Sequence, residues 1–166
     1  MKEVFTLILC NQLDLTENGF CLNTTNNASA LYQVNFDSLF NGKQKLYNKC
    51  QLRVALVTNP IAAATLDKAV GSIYITGLTS GNDLGTNGLF VCNYNPSNAS
   101  ASGSSTGYYL PNNFYQNTNG TQMNQVPTGV RNFNVNFVNI TGDLQPTANV
   151  PDYRMALQFE LYDPVV

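Results

Sequence analysis

The chain contains no histidine and no tryptophan. The first absence excludes Ser-His-Asp and Cys-His catalysis, histidine-held zinc or iron, and a histidine pH switch. The second removes a large aromatic that commonly lines sugar-binding clefts. Charge is scarce as well. Asp, Glu, Lys and Arg make up 11% of the residues, against about 25% in ordinary soluble domains. The net charge is −2, with eight Lys and Arg in all. That is too few for a basic stripe, so neither nucleic acid nor an acidic membrane is an expected partner. The polar surface must be built from Asn, Thr, Ser, Gln and Tyr. Such a surface suits a protein that sits among neighbours, because charge is what keeps soluble monomers apart.

Long apolar runs are also missing. The run near the N-terminus, residues 4–10, falls well short of the ~20 residues that span a bilayer. It lacks a small-residue cleavage site, and Glu3 stands where a signal peptide would be basic. It is expected to be a buried first strand, with neither a transmembrane segment nor secretion by a signal peptide implied. Cys10, Cys21, Cys50 and Cys92 are widely spaced and form no C-x-x-C, which disfavours a metal site. The even count allows one or two disulfides, but small buried hydrophobes with free thiols are the expectation.

What is present is period-two alternation. Tyr153, Met155, Leu157, Phe159 and Leu161 fall on one parity, and Arg154, Ala156, Gln158 and Glu160 on the other. Phe133, Val135 and Phe137 alternate with Asn132, Asn134 and Asn136. Each pattern marks a strand with one buried face. The parity flips at Val138, which predicts either a β-bulge or the end of that strand. Further strands are expected at residues 4–9, 31–36, 50–57, 72–76, 89–94 and 108–110. Residues 89–94 are almost continuously apolar and are expected to be central. A helical turn is expected at residues 37–42, with Asp37 capping and Gly42 closing. A short Ala-rich helix is expected at residues 59–69, from Asn59 and Pro60 at its start and Gly71 past its end. Residues 11–30, 95–107 and 117–129 read as polar loops.

Eight short strands with turn-rich connectors predict an all-β fold: an eight-stranded antiparallel jelly-roll sandwich with one short helix and long polar loops. The 166 residues are expected to form a single domain spanning residues 1–166, burying about 70% of the unfolded surface. In that topology the first and last strands lie side by side, which accounts for both being strongly apolar.

Candidate chemistry is thin. Glu3, Glu17 and Glu160 are the only glutamates. Glu3 and Glu160 come close if first and last strands pair, and a glycosidase needs two carboxylates about 5–9 Å apart. Residues 81–88 offer oxygen ligands for calcium but only one carboxylate, so a tight Asn/Gly turn is the expected reading. Five Asn-x-Ser/Thr triplets begin at Asn23, Asn27, Asn98, Asn119 and Asn139, a number that an Asn-rich chain makes by chance. No catalytic, cofactor or metal residue is expected. Tyr108, Tyr109, Phe114 and Tyr115 cluster in one stretch. They are the expected assembly contacts, since aromatics anchor interfaces; core closure at one end of the sandwich competes for them.

The closing run Pro151-Asp152-Tyr153-Arg154-Met155-Ala156-Leu157-Gln158-Phe159-Glu160-Leu161, the Asn-rich strand before it and the stretch Leu46-Tyr47-Asn48-Lys49-Cys50-Gln51-Leu52-Arg53-Val54 together resemble the single-jelly-roll minor capsid or vertex proteins of large icosahedral double-stranded DNA viruses. The resemblance covers most of the chain as a pattern. It implies a virion structural protein without enzymatic activity. Such a protein would be held by many weak neutral contacts to other capsid proteins, as a homo-oligomer or as part of a larger shell. The alternative is a lectin-like or receptor-binding jelly-roll module that uses the loops at residues 95–107 and 117–129.

Overall fold

The structure, a computed structural model, describes residues 1–10, 20–26, 28–58, 71–78, 89–94, 108–109, 121–123, 125–139, 143–144 and 154–163. These residues form strands β1 (Lys2–Cys10), β2 (Phe20–Asn26), β3 (Ser29–Asn35), β4 (Lys49–Thr58), β5 (Gly71–Thr76), β6 (Leu89–Tyr94), β7 (Tyr108–Tyr109), β8 (Thr121–Met123), β9 (Val130–Asn139) and β10 (Arg154–Tyr162). A short helix α1 (Phe36–Leu39) and a 3-10 turn (Lys43–Leu46) connect β3 to β4.

The strands make two antiparallel sheets, and the fold is an all-β sandwich. One sheet runs β1-β10-β4-β7, with β8 also on β4; the other runs β2-β3-β9-β5-β6. β1 and β10 pair along their whole lengths, from Lys2 opposite Tyr162 to Cys10 opposite Arg154. The first and last strands are therefore adjacent, as their shared apolar patterning implies. β7 and β8 lie along the same side of β4, Tyr109 opposite Val57 and Thr121 opposite Leu52.

Alternation decides which side chains enter the core. Leu7 and Leu9 from β1, Cys50, Leu52 and Val54 from β4, and Met155, Leu157, Phe159 and Leu161 from β10 are buried from one side. Tyr32, Val34, Ile73, Ile75, Phe133, Val135 and Phe137 are buried from the other. The two layers meet through α1. Phe36 stacks edge-on against Phe159 at 5.5 Å and tilts against Phe133 at 6.2 Å. Phe40 stacks edge-on against Phe159 at 5.7 Å and against Phe5 at 5.2 Å. Phe36 at the start of α1 thus touches both sheets, while Phe40 at its end packs on Phe36 and the first sheet, and such edge-to-face pairs add to the burial term.

Several expectations are corrected. β2 and β8 lie in stretches read as loops. β2 (Phe-Cys-Leu-Asn-Thr-Thr-Asn) and β8 (Thr-Gln-Met) lack the alternation that marks a half-buried strand. Among the described residues β6 is terminal in its sheet and not central. Its backbone also approaches β4 and β8 of the opposite sheet. Asp37 does not cap α1. Asn35 is the cap, its Oδ1 accepting from Ser38 N at 3.2 Å. Asp37 sits in the first turn, where its carboxylate also suits the helix dipole. Gly42 does close the turn, with φ 78° and its N–H donating to Asp37 O at 3.1 Å. The parity flip at Val138 coincides with the end of β9 at Asn139; no register shift interrupts its pairing with β5. A bulge lies instead between β10 and β4, where Leu157 pairs Val54 and Ala156 pairs Leu56, so that Val57 is registered with Met155. The helix expected at residues 59–69 and the loop at 81–88 lie outside the described residues.

Gly77 follows β5 at φ 92°, and a Cβ there would stand 2.8 Å from Asn132 O. Only glycine allows β5 to leave β9 this closely. Among the described residues, no helix is long and apolar enough to cross a membrane.

Candidate assembly surfaces

Tyr108 and Tyr109 form β7, with their backbones paired to Thr58 and Val57. Phe114 and Tyr115 lie outside the described residues.

The carboxylate pair is separated by the sheet itself. Glu3 is registered with the core residue Leu161, whereas Glu160 is registered with Val4, whose side chain is exposed. Directly opposed residues share a face, so the two glutamates project from opposite faces of one sheet. They cannot flank one glycosidic bond. Each has its own partner. Glu3 accepts from Lys43 Nζ at 3.2 Å and Tyr47 Oη at 3.1 Å. Glu160 Oε2 lies 3.5 Å from Lys2 Nζ. Burial first, then the hydrogen bond to Glu3, raises the Tyr47 hydroxyl above its usual pKa. This cluster closes the core at the start of β1.

A second polar cluster closes the neighbouring rim. Asp37 Oδ1 accepts from Gln44 Nε2 at 2.7 Å and from Gly129 N at 3.0 Å. Gly129 O in turn accepts from Phe36 N at 2.9 Å. Gln44 is buried, and its Oε1 has no hydrogen-bond partner. The arrangement ties α1, the 3-10 turn and the start of β9 together.

Cys10 and Cys50 are buried and form no disulfide. Burial first, and the Glu160 carboxylate second, push the Cys50 thiol up to about 12 from its ordinary 9.0. Cys21 and Cys92 lie on β2 and β6, the two ends of the five-stranded sheet. Four strand spacings, roughly 19 Å, separate those backbones, far beyond the Cα reach of a disulfide. Among the described residues, no three His, Cys, Asp or Glu groups stand together as they would to hold a metal ion.

What remains is surface, and the two outer faces differ. On the first sheet the rows across β1, β10 and β4 read Lys2–Tyr162–Lys49, Val4–Glu160–Gln51 and Thr6–Gln158–Arg53. Arg53 donates Nε to Gln158 Oε1 at 2.7 Å, and its Nη2 donates to the same oxygen. On the second sheet the rows across β3, β9 and β5 read Gln33–Asn132, Leu31–Asn134–Thr76 and Ser29–Asn136–Tyr74. No described residue of these rows is charged. Gln33 Nε2 donates to Asn132 Oδ1 at 3.0 Å and Ser29 Oγ to Asn136 Oδ1 at 2.7 Å, while Asn136 Nδ2 donates to Tyr74 O at 3.2 Å. The Asn alternation of β9 was visible in sequence; its partners on β3 and β5 were not, because pairing register joins residues about 60–110 positions apart. No family model, curated protein or solved structure matches the chain.

Proposed function

We propose that this chain is a structural protein of a viral capsid, a minor capsid or vertex-type component, and that it acts through protein–protein contacts and not through catalysis. The observation that carries this reading is the uncharged outer face formed by the described rows across β3, β9 and β5. Ser29 already bonds to Asn136 and Gln33 to Asn132, and a neighbour can cover these rows without stripping water from ions. That is the economy expected of a shell subunit held by many weak contacts.

The strand order supports a jelly roll. β7 and β8 run in line along β4 and count as two pieces of one strand. With β2 as an addition, the eight remaining strands divide between the sheets in the orders first-eighth-third-sixth and second-seventh-fourth-fifth. Fold alone does not carry function; the sequence resemblance to single-jelly-roll capsid proteins and the uncharged face point the same way. In this reading the chain works in the virion beside other capsid proteins.

The test is the solution mass of the purified chain across a concentration series, beside an Asn134→Lys variant. Assembly into a closed oligomer that Asn134→Lys abolishes is the expected result. A wild-type chain that stays monomeric at every concentration and binds a glycan on an array would sink the shell reading and favour the lectin-like module.

A further inference from the structure

The backbone edges of the two sheets are not built alike. β2 is interrupted, its register shifting between Cys21 and Asn23 and again between Asn23 and Asn26. β6 pairs through a shift between Ile73 and Tyr74. β7 and β8 are two and three residues long. Bulges and short strands are the usual guards against edge-to-edge pairing. β1 has neither. It is nine residues long and matches β10 pair by pair without a shift. Its only charges, Lys2 and Glu3, sit at one end and are engaged by Glu160 and Lys43. Beyond them run Val4, Phe5, Thr6, Leu7, Ile8 and Leu9, with no Pro and no charge. Among the described residues no strand lies on the far side of β1. Val4 is 52% exposed, and Thr6 beside it is exposed too.

We propose that the β1 edge pairs antiparallel with β1 of a second copy of this chain, about a two-fold axis at Thr6. In that register Thr6 faces its own counterpart, Val4 faces Ile8, and Phe5 faces Leu7. Thr–Thr and branched apolar pairs are favourable across strands. Glu3 falls opposite Leu9 on the core-facing side, where Lys43 and Tyr47 already hold its carboxylate. The antiparallel sense keeps the two Lys2 residues at opposite ends, eight positions or roughly 27 Å apart. A parallel arrangement would set Lys2 against Lys2 and Glu3 against Glu3. The contact is isologous and closes on itself, so it makes a dimer with one continuous sheet and does not propagate into a fibre.

The inference stands on the edge alone and does not depend on the shell reading, whose test lies on the opposite sheet. The experiment is sedimentation equilibrium of the full chain as wild type, Thr6→Lys, Thr6→Glu and an equimolar mixture of the two variants. Thr6 is exposed, and circular dichroism would verify that each variant keeps the sandwich. Either charge alone is expected to weaken dimerisation at least about tenfold, since it meets its like directly across the axis. The mixture is expected to restore the dimer. A wild-type chain with no dimer at high concentration overturns the proposal. So does a dimer that both variants leave intact, or a loss that mixing does not rescue.

Discussion

The outer face of the β1-β10-β4 sheet is ordered by ions and long side chains, with Lys2 on Glu160 and Arg53 on Gln158. The outer face of the β3-β9-β5 sheet is ordered by short neutral groups, with Ser29 on Asn136 and Gln33 on Asn132. Both faces are polar, but their desolvation costs differ. Covering the first means dehydrating ammonium, guanidinium and carboxylate groups, each costly unless it meets a fitting counter-charge. Covering the second means dehydrating amides and hydroxyls that already have partners in the sheet. A low content of charge is therefore not spread evenly over this protein. It leaves the described rows across β3, β9 and β5 neutral.

The largest expected effect comes from breaking what the two faces share. Phe159 is fully buried and touches the rings of both Phe36, which reaches the other sheet, and Phe40. Phe159→Ala should cost about 3–5 kcal/mol, the usual range for truncating a core phenylalanine. Urea unfolding followed by circular dichroism would measure it. A loss below about 1 kcal/mol would mean the sheets do not depend on the α1 aromatics for their contact.

Next comes a substitution that separates the faces. Asn136 accepts from Ser29 and donates to Tyr74 O in a partly buried setting. Asn136→Ala removes both bonds and should cost about 2 kcal/mol, at roughly 1 kcal/mol per hydrogen bond. Arg53→Ala removes an exposed pair from the other face and should cost no more than about 0.5 kcal/mol. Equal losses at the two positions would contradict the view that the neutral face is the more tightly knit one.

That asymmetry was half legible in the sequence. The parity of Phe133, Val135 and Phe137 against Asn132, Asn134 and Asn136 marked both the buried face and the neutral one. The apolar alternation of Met155 to Leu161 likewise anticipated β10 and its neighbour β1. Elements without alternation were missed, β2 and β8 among them. The continuous apolar run of residues 89–94 misled, because it fits both a central strand and a terminal one that also approaches the opposite sheet. The α1 cap was misplaced by two residues: Asn35 and Asp37 are both good caps, and only the buried Phe36 at the first helical position settles which is used. Composition showed that the glutamates were few. It could not show that Glu3 and Glu160 leave opposite faces, since that follows from pairing register.

A pH titration tests the buried side of the charged sheet. Cys50 faces the core from β4, and its thiol is pushed up to about 12 from 9.0. Below pH 9 the thiol is protonated in both folded and unfolded chains, so the native state suffers no penalty. Between pH 9 and 12 the unfolded thiol ionises and the folded one does not, so stability falls as pH rises. The loss from this group should reach about 1.4 kcal/mol near pH 10. Unfolding midpoints at pH 8 and 10, compared between wild type and Cys50→Ala, isolate it from the lysines and tyrosines. An identical pH dependence in both chains would show that Cys50 is not the group responsible.

The smallest effect tests whether the charges on the first face matter to the fold at all. Lys2 and Glu160 are 3.5 Å apart, with side chains 68% and 32% exposed, so water screens the pair and its side-chain entropy opposes it. Exposed pairs of this kind contribute about 0.2–1 kcal/mol and weaken with salt. Glu160→Gln should therefore lower stability by no more than about 0.5 kcal/mol in dilute buffer, and by nothing measurable in 1 M NaCl. The neutral face has no ionic term to screen, so the Asn136→Ala loss should persist undiminished at the same salt. A salt-insensitive loss at Glu160 would point to its hydrogen bonding and not its charge, and the two faces would then be held by the same forces. If only the Glu160 loss disappears with salt, the charges decorate a fold that would stand without them, and their retention on that one face must be explained by what the face meets outside the molecule.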